Sequence, residues 1–188
     1  MVFKEAFARH RTAVEKTADT LLPTIEQGGR ILAQTLKNGK KILICGNGGS
    51  AADAQHFAAE LVGRYTTERP PFRAQALTTD TSTLTALAND YGYEDVFRRQ
   101  VEALGDPGDA LVLISTSGKS PNIVAAAEQA RKQDMRTVLL TGEKGQNTQY
   151  PVDCKITVPS AETARVQEVH QIIYHSWCEY LDTIWTRT

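Results

Sequence analysis

Five short apolar runs with helical stretches between most of them constrain the fold of this chain more than any other feature. KILIC (41–45), AQAL (74–77), ALVLIS (110–115), RTVLLT (136–141) and CKITV (154–158) have the length of strands. The intervening stretches 50–63, about 94–104 and 122–133 read as helices. The strands are nearly continuous in apolar residues, the mark of a sheet covered on both faces and therefore parallel. The expected architecture is a three-layer α/β/α sandwich with a central parallel sheet, in one domain spanning 1–188. Two helices are predicted before the first strand, making an N-terminal extension over about 1–38. The first covers 3 to about 20, with Phe3, Phe7, Ala13, Ala18 and Leu21 on its apolar side. The second follows Pro23, carries Ile25, Ile31, Leu32 and Leu36, and ends at Asn38-Gly39. Gly28-Gly29 inside it costs about 2 kcal/mol relative to alanine and suits a close approach by another helix, within the chain or between subunits. A long final helix runs from about Thr163 to Trp185.

Bulk properties exclude several classes of function. The 188 residues carry a net charge of -1, so no basic stripe exists for nucleic acid or an anionic membrane. The densest basic stretches, KNGKK (37–41) and RHR (9–11), read as solvated faces. No apolar run reaches the ~18 residues of a membrane span, and MVFKEAFARH lacks the apolar stretch of a signal peptide. Cys45, Cys154 and Cys178 show no paired spacing and read as small buried hydrophobes in a reducing, cytoplasmic setting.

Two loops at strand ends carry the binding signals. GNGGSA (46–51) joins the first strand to a helix, where phosphates and pyrophosphates bind in open α/β sheets. It also matches the dinucleotide pattern G-x-G-x-x-A. That pattern requires an acid about twenty residues on, but the first strand-end acid is Asp80 and Glu68 falls in the loop ERPPF. A nicotinamide site is therefore disfavoured; a ligand-free tight turn is the plainer alternative. ISTSGKSPNI (114–123) follows the third strand and leads into a helix. Ser115, Thr116, Ser117 and Ser120 gather four hydroxyls around Gly118, many small donors at the positive end of a helix dipole. Lys119 is not required by that geometry. Ser and Thr cap helices routinely, so position at a strand end makes the signal.

A third constellation is titratable. His56 and Glu60 are four residues apart and project from one face of the helix that begins near Ser50. Such a pair suits a metal, or a base and the group that orients it, as well as a plain surface pair. The final helix offers Gln167, His170 and His175. Helical geometry puts Gln167 about 80° from His175 and about 60° from His170, with the two histidines about 140° apart. Geometry alone leaves open which histidine serves a site.

CGNGGSAADAQHFAAEL (45–61), GRYTTERP, TALANDYGYEDVF, ISTSGKSPNI and ARVQEVHQIIYH together resemble the phosphosugar-isomerase, or SIS, domain. More closely they are similar to the sedoheptulose 7-phosphate (phosphoheptose) isomerase family, in order from about residue 30 to 182. The resemblance implies a flavodoxin-like core and a homotetramer. It further implies an aldose–ketose isomerase that makes D-glycero-D-manno-heptose 7-phosphate, the first step toward heptose-containing glycans such as lipopolysaccharide. By resemblance, Ser115, Thr116, Ser117 and Ser120 grip the phosphate, and Asn47, Gly48, Gly49, Ser50, Asn89, Asp90 and Gln167 line the sugar. The same resemblance carries over one zinc ion per subunit on His56, Glu60, Gln167 and His175, with Glu60 and His175 as base and acid. His170 then falls to a packing role, and Arg64 is a substrate contact or a surface ion pair. Ala164 departs from the family pattern where some members carry an acid. The chemistry fits the residue types. A proton moves between C1 and C2 through an enediol, which needs a base, a proton shuttle between the oxygens and a stabilised oxyanion. The alternative is a non-catalytic SIS-fold adaptor that binds the replication initiator; such proteins lack the Glu60 and His175 counterparts.

Overall fold

A computed structural model of the chain describes residues 1–185. Its elements are α1 (Val2–Lys37), β1 (Ile42–Gly46), α2 (Gly49–Val62), β2 (Ala74–Ala76), α3 (Thr81–Tyr91), α4 (Arg98–Leu104), β3 (Ala110–Ser115), α5 (Pro121–Lys132), β4 (Arg136–Gly142), β5 (Cys154–Val158) and α6 (Thr163–Trp185). All the strand pairings are parallel, in the order β2-β1-β3-β4-β5. This is the flavodoxin-like order, whose direction of winding reverses between β1 and β3.

Alternate residues of each strand feed two separate cores. Ile42, Ile44, Val112, Ile114, Val138 and Leu140 point into the layer formed with α1, α2 and α6. Leu43, Cys45, Leu111, Leu113 and Leu139 point into the layer holding Val96, Phe97, Val101 and the apolar face of α5. The expected three-layer sandwich is present, and its two-sided burial explains why the strands read as unbroken apolar runs.

Three local expectations are corrected. The two N-terminal helices are one helix of 36 residues that continues through Pro23. Proline removes the N–H that would bond to the carbonyl of Asp19; Asp19 is exposed, so water can replace the missing donor. The packing of the helix beyond Pro23 then keeps it continuous. Phe3 and Phe7 do not join the core: they are 83% and 77% exposed on the chain. The stretch expected as a helix over about 94–104 is a short turn of 3-10 helix, Tyr93–Asp95, followed by α4. Helix α3 was not expected. Asp80, read from sequence as a strand-end acid, is its N-cap, accepting a hydrogen bond from the Thr83 N–H at 3.0 Å.

The Gly28-Gly29 pair has its partner inside the chain. A Cβ on Gly28 would lie 2.7 Å from Trp177 Cζ2, and one on Gly29 would lie 3.0 Å from Trp177 Cδ1. The buried indole of α6 therefore lies directly on the α1 backbone and donates to the Ile25 carbonyl at 2.8 Å. This contact fixes α6 against the sheet layer and so sets where its inner face points.

Candidate functional site

The winding reversal between β1 and β3 opens a crevice at the strand ends, because the chain leaves β1 toward one face and β3 toward the other. The glycine turn and the hydroxyl-rich loop form its two lips. Gly48 adopts a left-handed φ of 57°, which turns the chain from β1 into α2. Ser50 is buried beneath the turn, and its N–H donates to the Asn47 carbonyl at 3.0 Å. Across the crevice, Asn47 and Asn122 exchange amide hydrogen bonds, each at 2.9 Å. Tyr93 adds a third bond, its hydroxyl donating to Asn47 Oδ1 at 3.1 Å. A cavity of about 570 Å³ lies here, lined by Asn47, Gly92, Tyr93, Glu94, Ser120 and Asn122 among others.

The hydroxyl loop is held in shape by its own side chains. Ser115 Oγ accepts from the Gly118 N–H at 3.1 Å and lies 3.4 Å from Ser120 Oγ. Ser117 Oγ accepts from the Lys119 N–H at 3.3 Å. Ser120 is the N-cap of α5 and Pro121 its first helical residue, so the positive end of a helix dipole points into the loop. Four hydroxyls and that dipole make a cradle suited to a phosphate.

A second cluster is built from side chains on α2 and α6. His56 Nε2 lies 3.1 Å from Glu60 Oε1, as the four-residue spacing requires, and 3.4 Å from His175 Nε2. Potential ligand atoms of His56, Glu60 and His175 all fall within 4.8 Å of one another. Burial lowers the pKa of His175, and the neighbouring His56 lowers it further, so the imidazole is neutral near pH 7. The Tyr65 ring packs against it with centroids 5.4 Å apart. Gln167 takes a different position from the other expected metal ligands. A Cβ on Gly49 would lie 2.5 Å from its Nε2, so Gln167 rests on the glycine turn and links α6 to the cradle.

Other expected residues separate from these clusters. Asn89 and Asp90 occupy the exposed last turn of α3 and bond to each other at 2.8 Å; among the described residues neither bonds to the glycine turn or the hydroxyl loop. His170 is fully buried, pushed down to about 4 by burial, and in contact with the Thr141 carbonyl at 3.2 Å. That is a core histidine. Arg64 makes a surface pair with Glu68 at 3.7 Å.

The structure adds residues that sequence reading missed. Tyr174 Oη lies 3.1 Å from His56 Nδ1. Burial raises the pKa of Asp53 and, together with Asp53, that of Tyr174. Beneath the cluster, buried Arg69 bonds to Asp182 of α6 at 2.8 Å and to the Glu60 and Leu61 carbonyls at the end of α2, at 2.8 and 3.0 Å. Burial alone would raise the Asp182 pKa, but the N–H groups of Thr66 and Thr67, with Arg69, hold it at about 2. One ion pair thus ties together the two helices that carry the cluster. In the sequence the cluster was signalled by the i,i+4 spacing of His56 and Glu60 and, through the family resemblance, by Gln167 and His175; Tyr174, Asp53, Arg69 and Asp182 carried no signal.

Comparison with known proteins agrees with the geometry. The SIS domain family matches residues 5–142. A phosphoheptose isomerase of Aliarcobacter butzleri is 51% identical over 181 residues, 96% of this chain and 95% of that relative. One from Thiobacillus denitrificans is 53% identical over 171 residues, 89% of this chain and 86% of that relative. The solved structure of phosphoheptose isomerase GmhA from Neisseria gonorrhoeae superposes with a TM-score of 0.91 at 44% identity, covering 96% of this chain and 97% of that one. These relatives are named as isomerases, and the adaptor alternative finds no support among them.

Proposed function

We propose, given that this chain belongs to the SIS domain family, that it interconverts sedoheptulose 7-phosphate and D-glycero-D-manno-heptose 7-phosphate as the first step toward heptose-containing glycans. The observation that carries this reading is the pairing of an anion cradle with a His56–Glu60–His175 cluster in one fold, in a chain about 50% identical to phosphoheptose isomerases along nearly its whole length. The substrate needs both: a holder for its phosphate and proton-transfer groups at its carbonyl end.

In this reading the hydroxyls of Ser115, Thr116, Ser117 and Ser120 bind the phosphate. Asn47, Gly48, Gly49, Ser50 and Gln167 line the sugar, with Asn89 and Asp90 reaching it by a movement of α3 or from another subunit. Glu60 removes the proton at C1 and returns it at C2, and neutral His175 exchanges protons with the two oxygens, so that the enediol forms and collapses. Two imidazoles and a carboxylate whose ligand atoms converge fit a zinc ion. His56, Glu60 and His175 would hold it, one per subunit, with Gln167 joining as the fourth ligand. A bound zinc ion supplies Lewis acidity toward the developing oxyanion.

The reading extends to a homotetramer in the cytoplasm. Exposed Phe3, Phe7, Leu22, Ile172 and Tyr180 on α1 and α6 support association of subunits. Cys45, Cys154 and Cys178 are all free and buried, as suits a reducing compartment. Among the described residues no helix is long and apolar enough to cross a membrane. Incubation with sedoheptulose 7-phosphate, following the aldose by NMR with and without zinc, tests the activity; no conversion in either condition overturns it. Light scattering tests the assembly, and an active monomer would refute it.

A further inference from the structure

We propose that Gly142 and Gly145 are positioning residues for the phosphate cradle. Without side chains, they let the connection from β4 to β5 lie directly on the backbone of the hydroxyl loop and hold that loop in its binding shape. This role presupposes the phosphate reading of the loop and concerns what keeps its donors in place.

Side-chain bonds shape the hydroxyl loop locally, but its small polar residues offer little apolar surface to anchor it to the sheet. A site ordered before its ligand arrives loses less entropy on binding, so the anchor matters. The segment leaving β4 supplies it at two points. The Gly142 N–H donates to the Thr116 carbonyl at 3.1 Å. A Cβ on Gly142 would lie 3.0 Å from that same oxygen and 2.8 Å from Val166 Cγ2, so no side chain fits there. Two residues further along the loop, Gly118 turns the chain with a φ of 61°. A Cβ on Gly118 would lie 2.9 Å from Gly145 Cα, and one on Gly145 would lie 3.1 Å from Gly118 Cα. The two glycines therefore meet backbone to backbone. Fully buried Thr141 completes the contact, because a Cβ on Gly145 would also overlap its Oγ1.

The supporting segment is itself braced. It opens with the 3-10 turn Glu143–Gly145. Thr148 donates to the Gly145 carbonyl through its N–H at 3.2 Å and its hydroxyl at 2.8 Å. The Lys155 ammonium on β5 donates to the carbonyls of Gln146 at 2.8 Å and Thr148 at 3.4 Å. A Cβ on Gly118 would also lie 2.8 Å from Thr148 Cγ2, so the braced segment meets the left-handed turn of the loop on more than one side. Gly145 and its partners bear on the loop between β3 and α5, not on the helix that carries His56 and Glu60. Disturbing them should therefore cost affinity and spare turnover.

Gly145 lies outside the left-handed region, so alanine there adds no backbone strain and tests space alone. In Gly145→Ala the Kd for sedoheptulose 7-phosphate, measured by calorimetry in a Glu60→Gln background that stops turnover, should rise about tenfold, the worth of one charge-assisted hydrogen bond. With Glu60 in place, kcat should stay near the wild-type value. Changes at Thr141 identify the cause. Its Oγ1 has no hydrogen-bond partner, so Thr141→Ala forfeits no bond. Added to Gly145→Ala it removes the overlapping atom and should restore affinity about threefold, whereas Thr141→Val keeps the bulk and should restore none. If Gly145→Ala does not fold, Thr148→Ser decides: it keeps the hydroxyl bond, removes the methyl beside Gly118 and should weaken binding about threefold. Unchanged affinity in the folded variant, equal affinity of the two double variants, or a kcat loss as large as the affinity loss would overturn the anchor and leave the cradle standing. A wild type that does not bind sedoheptulose 7-phosphate would overturn both.

Discussion

The two halves of the proposed site, the phosphate end and the proton-transfer end, are built by different means. The phosphate end is mostly local chain: a strand, a loop and the start of a helix, an arrangement that occurs twice, each time within a few consecutive residues. The proton-transfer end is tertiary. His56 and Glu60 meet His175 only because α6 lies against α2, held by Trp177 on the Gly28-Gly29 backbone and by the buried Arg69–Asp182 pair. The difference predicts a division of labour: damage to the cradle should weaken substrate binding, and damage to the helix pair should stop chemistry.

The largest effect should break the proton-transfer end alone. Glu60→Gln keeps size and polarity but cannot accept a proton, and should lower kcat by 10²–10⁴-fold, about 3–5 kcal/mol, with KM nearly unchanged. His175→Ala should do the same, and the double variant should lose much less than the sum. Steady-state kinetics with a folded-state check reads this; Glu60→Gln turnover within threefold of wild type would move the base elsewhere.

Next in size is a test that His170 belongs to neither end. Its pKa is about 4 in the folded chain against 6.5 for a free histidine. The unfolded state therefore takes up a proton that the folded state refuses as pH falls from 6.5 toward 4, and stability falls with it. Between pH 7 and 5 this amounts to about 2 kcal/mol in denaturant unfolding. His170→Gln should remove that part of the slope while kcat at pH 7 stays near wild type.

Smaller effects should appear at the cradle. Asn122→Ala breaks the reciprocal amide pair that joins the two lips, and should raise KM for the phosphosugar by roughly tenfold, about 1–2 kcal/mol, with kcat little changed. Ser120→Ala should cost about 1 kcal/mol of binding through one lost bond to the phosphate. Equal losses of kcat in these variants would erase the distinction between the two ends.

The same contrast governs what the sequence reveals. Each expected strand lies within a residue or two of its observed position, because two-sided burial leaves unbroken apolar runs. The glycine and hydroxyl loops are equally visible, since everything that shapes them is nearby in the chain. Tyr174, Arg69 and Asn122 are not, because their partners lie tens of residues or more away. Pro23 misled because proline reads as a helix breaker, whereas the packing of α1 beyond it overrides that local penalty. Helix α3 escaped notice because TSTLT is poor in strong helix formers. Only the Asp80 cap betrays its start.

Gln167 pressed on the backbone of Gly49 makes the two ends thermodynamically answerable to each other. Its amide sits where any side chain at that position would have to be, so displacing the turn means displacing α6, which continues to His175. Linkage then imposes a symmetry: by whatever factor a phosphate in the cradle tightens a cation between the helices, the cation must tighten the phosphate by that same factor. A ligand at either end is in this sense an effector of the other.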